Sequence, residues 1–305
     1  MIPVPPSSSI TDTNAAGGGR AYTLREPLLQ IVPAVVDVPH AGRCYPPSFV
    51  ASARLSAQSL RRSEDAYVDL LFAEAVPLGA PLLSAEFPRA YLDVNREPYE
   101  LDQRMFEERL PGFANTRSMR VAGGLGTIPR IVGEGHEIYS GKLRVQEAME
   151  RIETCYRPYH AALRTLVERT RNRLGSCVLV DAHSMPSTGL EQSGAAKSDI
   201  ILGDRYGTSA SAAVVDVAEA AFRSVGLNVT RNRPYAGGFI TEHYGDPGSN
   251  VHALQIEVNR SLYMDEATLA PTDAFMAVRA SISEALATCF AAWIDSLCVR
   301  RDAAE

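Results

Sequence analysis

Residues 29–38 read LQIVPAVVDV and run directly into Pro39-His40-Ala41-Gly42. A nearly unbroken apolar run rich in β-branched residues suits a strand buried on both faces of a sheet. The PHAG that follows reads as a turn, so a histidine stands just past the strand's carboxyl end. The pattern recurs at 176–180 (SCVLV), which leads into Asp181-Ala182-His183-Ser184, and at 253–258 (ALQIEV), which carries Glu257. Residues 200–203 and 227–230 are further strand candidates, and 82–85 and 90–94 are short ones.

Helical spacing fills the intervals. Residues 57–76 carry an apolar stripe through Leu60, Tyr67, Leu70, Leu71 and Ala75. Residues 141–173 read as a long helix that Pro158 should kink or divide and Gly175 should stop. Helices are also expected over 208–225 and 272–299, the last with Phe275, Val278, Ile282, Leu286, Phe290 and Trp293 on one side. Strands alternating with helices predict an α/β fold: one domain, with a mixed, mostly parallel sheet covered by helices on both faces. The Pro-, Ser- and Gly-rich start predicts a disordered tail over residues 1–25 and a single domain over 26–300. Residues 97–140 form a long irregular stretch with Gly123-Gly124-Leu125-Gly126, expected to be the loop that closes over a site.

Composition narrows the class. The 305 residues carry a formal charge of −6, and no basic block stands out, which argues against a general nucleic-acid binder. Of the 30 basic residues only Lys142 and Lys197 are lysine. No apolar run reaches the roughly 18 residues of a membrane span, and the start lacks a secretory leader's pattern. The five cysteines are irregularly spaced without a CxxC, which argues against a disulfide framework and a cysteine-only zinc site. A soluble protein of the reducing cytoplasm is expected. Oligomeric state stays open.

In open α/β sheets ligands bind beyond the strands' carboxyl ends. His40, Asp181, His183 and Glu257 all fall there. Any one of them alone reads as a hydrogen-bonded structural residue; together they point to a site. Histidine and carboxylate ligands suit zinc, which in catalytic sites keeps one position open. There is no HExxH, so the ligands would come from separate strand ends. His40 and His183 are the first two; Glu64, Asp65 and Asp69 compete for the third place. The bland reading of that acidic cluster is a solvated first helical turn. Asn95 and Arg96, in Asp93-Val94-Asn95-Arg96, could grip a carboxylate, and Arg89 could stabilise an oxyanion. Pro234-Tyr235-Ala236-Gly237-Gly238-Phe239 reads as a tight turn near a ligand. His160 reads as a packed residue, whereas His243 and His252 could line the site. Ser184 lacks a GxSxG elbow, so a serine hydrolase is a weak reading.

These pieces, in order, resemble the N-formylglutamate amidohydrolase family. They are Val38-Pro39-His40-Ala41-Gly42, Tyr91-Leu92-Asp93-Val94-Asn95-Arg96, Tyr156-Arg157-Pro158-Tyr159-His160 and Asp181-Ala182-His183-Ser184-Met185-Pro186. Gly203-Asp204-Arg205, Pro234-Tyr235-Ala236-Gly237-Gly238 and Gln255-Ile256-Glu257-Val258-Asn259-Arg260 complete the set. The family's usual VPHSG is VPHAG here, which removes one hydroxyl beside the first ligand. The resemblance implies a phosphorylase/hydrolase-like fold similar to zinc carboxypeptidases and aspartoacylases. It implies Zn2+ held by His40, Asp65 and His183, with Glu64 as the alternative carboxylate. It makes Glu257 the acid–base residue, Arg89 the carbonyl-polarising arginine, and Asn95 and Arg96 the substrate-binding pair, with Arg205 and Arg260 behind them. Asp181 would orient a ligand histidine. The implied reaction is hydrolysis of a small anionic N-acyl amino acid, N-formyl-L-glutamate to formate and L-glutamate, in histidine degradation. A deacylase or carboxypeptidase-like hydrolase with another substrate, and a non-catalytic zinc or ligand-binding protein on the same scaffold, are the competing readings.

Overall fold

The apolar run around residue 35 is the strand Ala34–Val38 (β2), buried along its whole length. It lies inside a seven-stranded sheet of the computed structural model, which describes residues 20–133, 135–188, 190 and 198–302. The other strands are Tyr22–Arg25 (β1), Leu82–Ala85 (β3), Cys177–Met185 (β4), Ile200–Gly203 (β5), Val229–Arg231 (β6) and Val251–Asn259 (β7). Their order is β1-β3-β2-β4-β7-β5-β6. β3, β2, β4 and β7 run parallel; β1 lies antiparallel to β3, and β5 antiparallel to β7 with β6 parallel to β5. The protein is thus a single α/β domain built on a mixed, mostly parallel sheet.

Alternation along the strands divides the core in two. Val36, Val180, Ile256 and Leu254 pack on one face beneath the helices Ala212–Ser224 (α2) and Phe275–Asp302 (α3). Val35, Leu179 and Ala253 pack on the other face against Tyr159, Leu163 and Leu166 of Arg157–Leu174 (α1). The second face changes character toward the carboxyl ends. There the same side-chain rows continue as Asp37, as Asp181 and His183, and as Gln255 and Glu257. A hydrophobic seat and a polar site therefore share one face of the sheet.

Several local expectations are corrected. Residues 57–76 are not one helix. They form short α-helices at Ala57–Arg61 and Val68–Leu71 and a 3-10 turn at Ala73–Ala75, because the chain between them leaves the helical path and the Asp65 N–H bonds the His40 carbonyl (2.9 Å). Residues 90–94 are turns, closed by Tyr91 N–H on Pro88 O (2.9 Å) and by Asn95 N–H on the Asp93 carboxylate (2.8 Å). The expected tail boundary at 25 falls too late: Tyr22–Arg25 pairs with β3 as the edge strand. Residues 1–19 of that tail lie outside the described residues. The long helix is divided as expected, with a π-helical turn over Ile152–Tyr156 just before Pro158, whose ring crowds the carbonyl four residues back.

Residues 97–140 are irregular but not loose. Leu101, Phe106, Val121, Ile128 and Ile138 are buried in the second core. Arg151 pins this region: it donates to Tyr139 Oη (2.7 Å) and Tyr91 O (3.1 Å), and its guanidinium lies 4.2 Å from the Tyr91 ring centroid. Such a desolvated cation–π contact contributes up to about 2 kcal/mol. The C-terminal helix is long and apolar enough over Phe275–Ser296 to cross a membrane by length and mean hydropathy, although Arg279, Glu284 and Asp295 interrupt its apolar run. Ile282, Ala285, Leu286, Cys289, Phe290 and Trp293 bury one face of it in the core.

Candidate metal centre and active-site cleft

Three strand ends and one loop converge. His40 follows β2, and its loop presses on residues 86–87 so closely that a Cβ at Gly42 would lie 2.1 Å from the Phe87 carbonyl oxygen. His183 is on β4, in register with Glu257 on β7. Asp65 is delivered by the break described above. The imidazole centroids of His40 and His183 are 4.8 Å apart. Asp65 Oδ2 lies 2.9 Å from His183 Nδ1 and 3.4 Å from His40 Nδ1. All three residues are buried.

The outer contacts fix which atoms face inward. His40 Nε2 sits 2.7 Å from Asp93 Oδ1, and His183 Nε2 sits 2.7 Å from Asp181 Oδ1. Carboxylates only accept, so both Nε2 atoms carry the proton and both Nδ1 atoms face the centre. His40 Nδ1 is buried with no hydrogen-bond partner. One potential ligand atom from each of His40, Asp65 and His183 lies within 4.8 Å of the others. Burial would raise the Asp65 carboxyl, but the hydrogen bond with His183 and the neighbouring His40 imidazole outweigh it and hold the group well below the usual range. Burial would lower His183; Asp181 and Asp65 instead raise it well above its ordinary value. The pocket thus holds buried negative charge that a cation between the ligands would satisfy. An orphaned imidazole nitrogen, a second imidazole and a carboxylate are the donor set of a catalytic zinc site.

Glu257 is buried opposite His183, and burial pushes it up to about 7, opposed by His183 and reinforced by Asp65 and Asp181. Gln255 Nε2 donates to its Oε1 (2.8 Å). These groups line a cleft of about 310 Å³ with Arg89, Asn95, Arg96, Arg120, Tyr235 and Arg260. A larger depression of about 550 Å³, beside Tyr99, Arg164 and His243, contains none of the converging carboxylates.

The sequence candidates separate by what they touch. Glu64 turns away to Tyr45 Oη (2.7 Å) and Arg61 Nε (3.1 Å), so Asp65 is the carboxylate at the centre. Asp69 pairs with Arg43. Arg89 lines the cleft with its Nε on Asp93 (3.0 Å). Asn95 lines it too, but its Oδ1 accepts the Ile240 N–H (2.8 Å) while Nδ2 lies 3.2 Å from His183 Nε2. Gly238 is needed here, since a Cβ would fall 2.3 Å from Asn95 Oδ1. Arg96 donates to Leu125 O (2.8 Å) and Asn95 O (2.6 Å), and burial lowers it to about 10. Arg260 lines the cleft while gripping Asp65 Oδ1 (2.8 Å) and Ser184 Oγ (3.1 Å). Arg205 pairs with Glu242 (3.1 Å) and does not line the cleft. His243 and His252 do not line it either: His243 stacks on Phe239, and His252 sits near the amino end of β7. His160 is packed as expected, with Nε2 on Val94 O (2.8 Å).

Sequence reasoning passed over Asp93 as the partner of His40, and Gln255 and Arg120 as lining residues, whereas Tyr235 lies in the turn expected near a ligand. Asp93 was visible only as the start of the DVNR tetrapeptide, which says nothing about its reach to His40.

The family model described as N-formylglutamate amidohydrolase matches residues 32–264, which include every cleft residue from His40 to Arg260. The chain is 29% identical over 238 residues to an N-formylglutamate deformylase of Pseudomonas putida, covering 77% of this chain and 83% of that one. It is 29% identical over 269 residues to that of Pseudomonas aeruginosa, covering 87% and 92%. The crystal structure of N-formylglutamate amidohydrolase from Ralstonia eutropha JMP134 superposes with a TM-score of 0.82 at 35% identity, covering 89% of this chain and 96% of that chain. On the family match, the chain belongs to the N-formylglutamate amidohydrolase family.

Proposed function

We propose that the protein hydrolyses the formamide bond of N-formyl-L-glutamate, releasing formate and L-glutamate, with a divalent metal, zinc by donor set, held by His40, Asp65 and His183. The observation that carries this reading is the orphaned His40 Nδ1 aimed at Asp65 and His183, beside Glu257, in a chain whose relatives are N-formylglutamate deformylases. When bound, the metal supplies Lewis acidity and makes water a nucleophile near neutral pH. Glu257 takes the proton from the attacking water and passes it to the leaving nitrogen as the C–N bond breaks. Arg89 is held at its Nε by Asp93, and its terminal nitrogens have no hydrogen-bond partner among the described residues. They are available to the carbonyl oxygen as charge develops, a role worth roughly 3 kcal/mol. Asp93 and Asp181 hold the two ligand histidines, and Arg260 holds Asp65 so that its Oδ2 faces the centre. Assignment to histidine degradation rests on that substrate alone.

A formate-release and deacylation assay of the zinc-loaded protein tests the reading. The panel is N-formyl-L-glutamate, N-acetyl-L-aspartate and short peptides. Highest kcat/KM for N-formyl-L-glutamate is expected; preference for either of the others would overturn the substrate, and no hydrolysis at all would overturn the activity.

A further inference from the structure

Four arginines line the cleft, but they are not equally free. Arg260 is committed to Asp65, Ser184 and the Arg62 carbonyl. Arg96 is committed to the Leu125 and Asn95 carbonyls and lies 3.5 Å from Asp93. Each keeps about a tenth of its side chain exposed. Arg89 sits at the metal end, beside the carboxylate that holds His40. Arg120 differs from all three. Its side chain is one-third exposed, its nearest acid is Glu100 at 4.0 Å, and its guanidinium makes no hydrogen bond among the described residues.

Arg120 is also held in place by its backbone. It lies on the short helix Met119–Ala122, whose Val121 N–H is capped by Ser118 Oγ (3.1 Å). Its carbonyl accepts from Leu125 N–H (2.8 Å), and the Leu125 carbonyl accepts from Arg96 Nε (2.8 Å). Thr127 N–H on Glu100 O (2.8 Å) closes the loop against the chain that follows Arg96. Arg96 therefore serves as the bracket that holds Arg120 in the lining of the cleft.

We propose that Arg120 takes the side-chain carboxylate of the substrate and sets the preference for acidic N-acyl amino acids. The inference rests on the reading above, in which Arg89 is engaged at the carbonyl. It moves carboxylate recognition from Arg96 to Arg120. An uncommitted arginine is what a dianion requires in a protein whose net charge is −6, because the overall field opposes its approach.

The test uses the zinc-loaded full-length protein, with Arg120→Gln and Arg120→Lys. Calorimetric titration with L-glutamate and with L-glutamine reads the carboxylate preference directly. KM and kcat for N-formyl-L-glutamate and N-formyl-L-glutamine read it in turnover. Wild type should prefer the carboxylate over the amide, and Arg120→Gln should weaken the acidic ligand roughly ten- to hundredfold. The glutamine pair should be unchanged, kcat little affected, and Arg120→Lys should keep part of the preference. Equal weakening of both ligands, unchanged glutamate binding, or a wild type that does not discriminate would each overturn the proposal. Absence of N-formyl-L-glutamate hydrolysis would overturn the proposed function instead, and the glutamate-to-glutamine binding ratio would still decide Arg120.

Discussion

His183 and Glu257 are register partners on the adjacent parallel strands β4 and β7, with their side chains on the same face of the sheet. The backbone ladder therefore sets the separation between the His183 imidazole and the Glu257 carboxylate, and no loop has to move to bring them together.

This separates chemistry from metal binding. Glu257→Gln keeps the shape and the hydrogen bond with Gln255 but cannot take a proton. Its kcat should fall roughly 10²–10⁴-fold while metal content stays at the wild-type level. Steady-state formate release and metal quantification on one preparation check both halves. A near-wild-type rate would remove Glu257 from the role of base.

Asp93 accepts from His40 Nε2 and is held well below the usual carboxylate range, because Arg96, His40 and Arg89 outweigh the effect of its burial. Asp93→Asn removes that charge and the certainty of which nitrogen carries the proton. Metal affinity should fall roughly 10–100-fold. Competition with a chromogenic chelator measures it, and equal affinities would show that Asp93 does not orient the ligand.

His160 predicts a pH dependence of stability. Burial lowers it from 6.5 to about 4, so the folded state keeps it neutral while the unfolded chain protonates it. Its contribution is present above about pH 6.5 and is lost as pH falls toward 4, for a total of about 3 kcal/mol. Denaturant unfolding of wild type and His160→Gln should show a gap at pH 7 that narrows by pH 4.5. A gap independent of pH would contradict the assignment.

The strand ends were legible because burial on both faces leaves a clear apolar run, and a polar residue at its end stands out. That logic reached His40, Asp181, His183 and Glu257 without any contact information. The arginines were not legible in the same way. Arg96, Arg205 and Arg260 look alike in sequence, and only tertiary approach reveals that Leu125 O, Glu242 and Asp65 occupy them. The choice between Glu64 and Asp65 depended on one backbone hydrogen bond to His40, which overrode the helical stripe through 57–76. Arg120 was hidden for a third reason. It lies on a four-residue helix within a glycine-rich segment that carries no periodic signal.

Hydrolysis should depend on a metal held by His40, Asp65 and His183. This dependence is tested most directly by measuring bound metal and formate release from N-formyl-L-glutamate on the same samples, before chelation, after chelation and after zinc is restored. About one metal ion per chain is expected, with content and activity lost together and regained together. A metal-free protein that still releases formate at the untreated rate would contradict it.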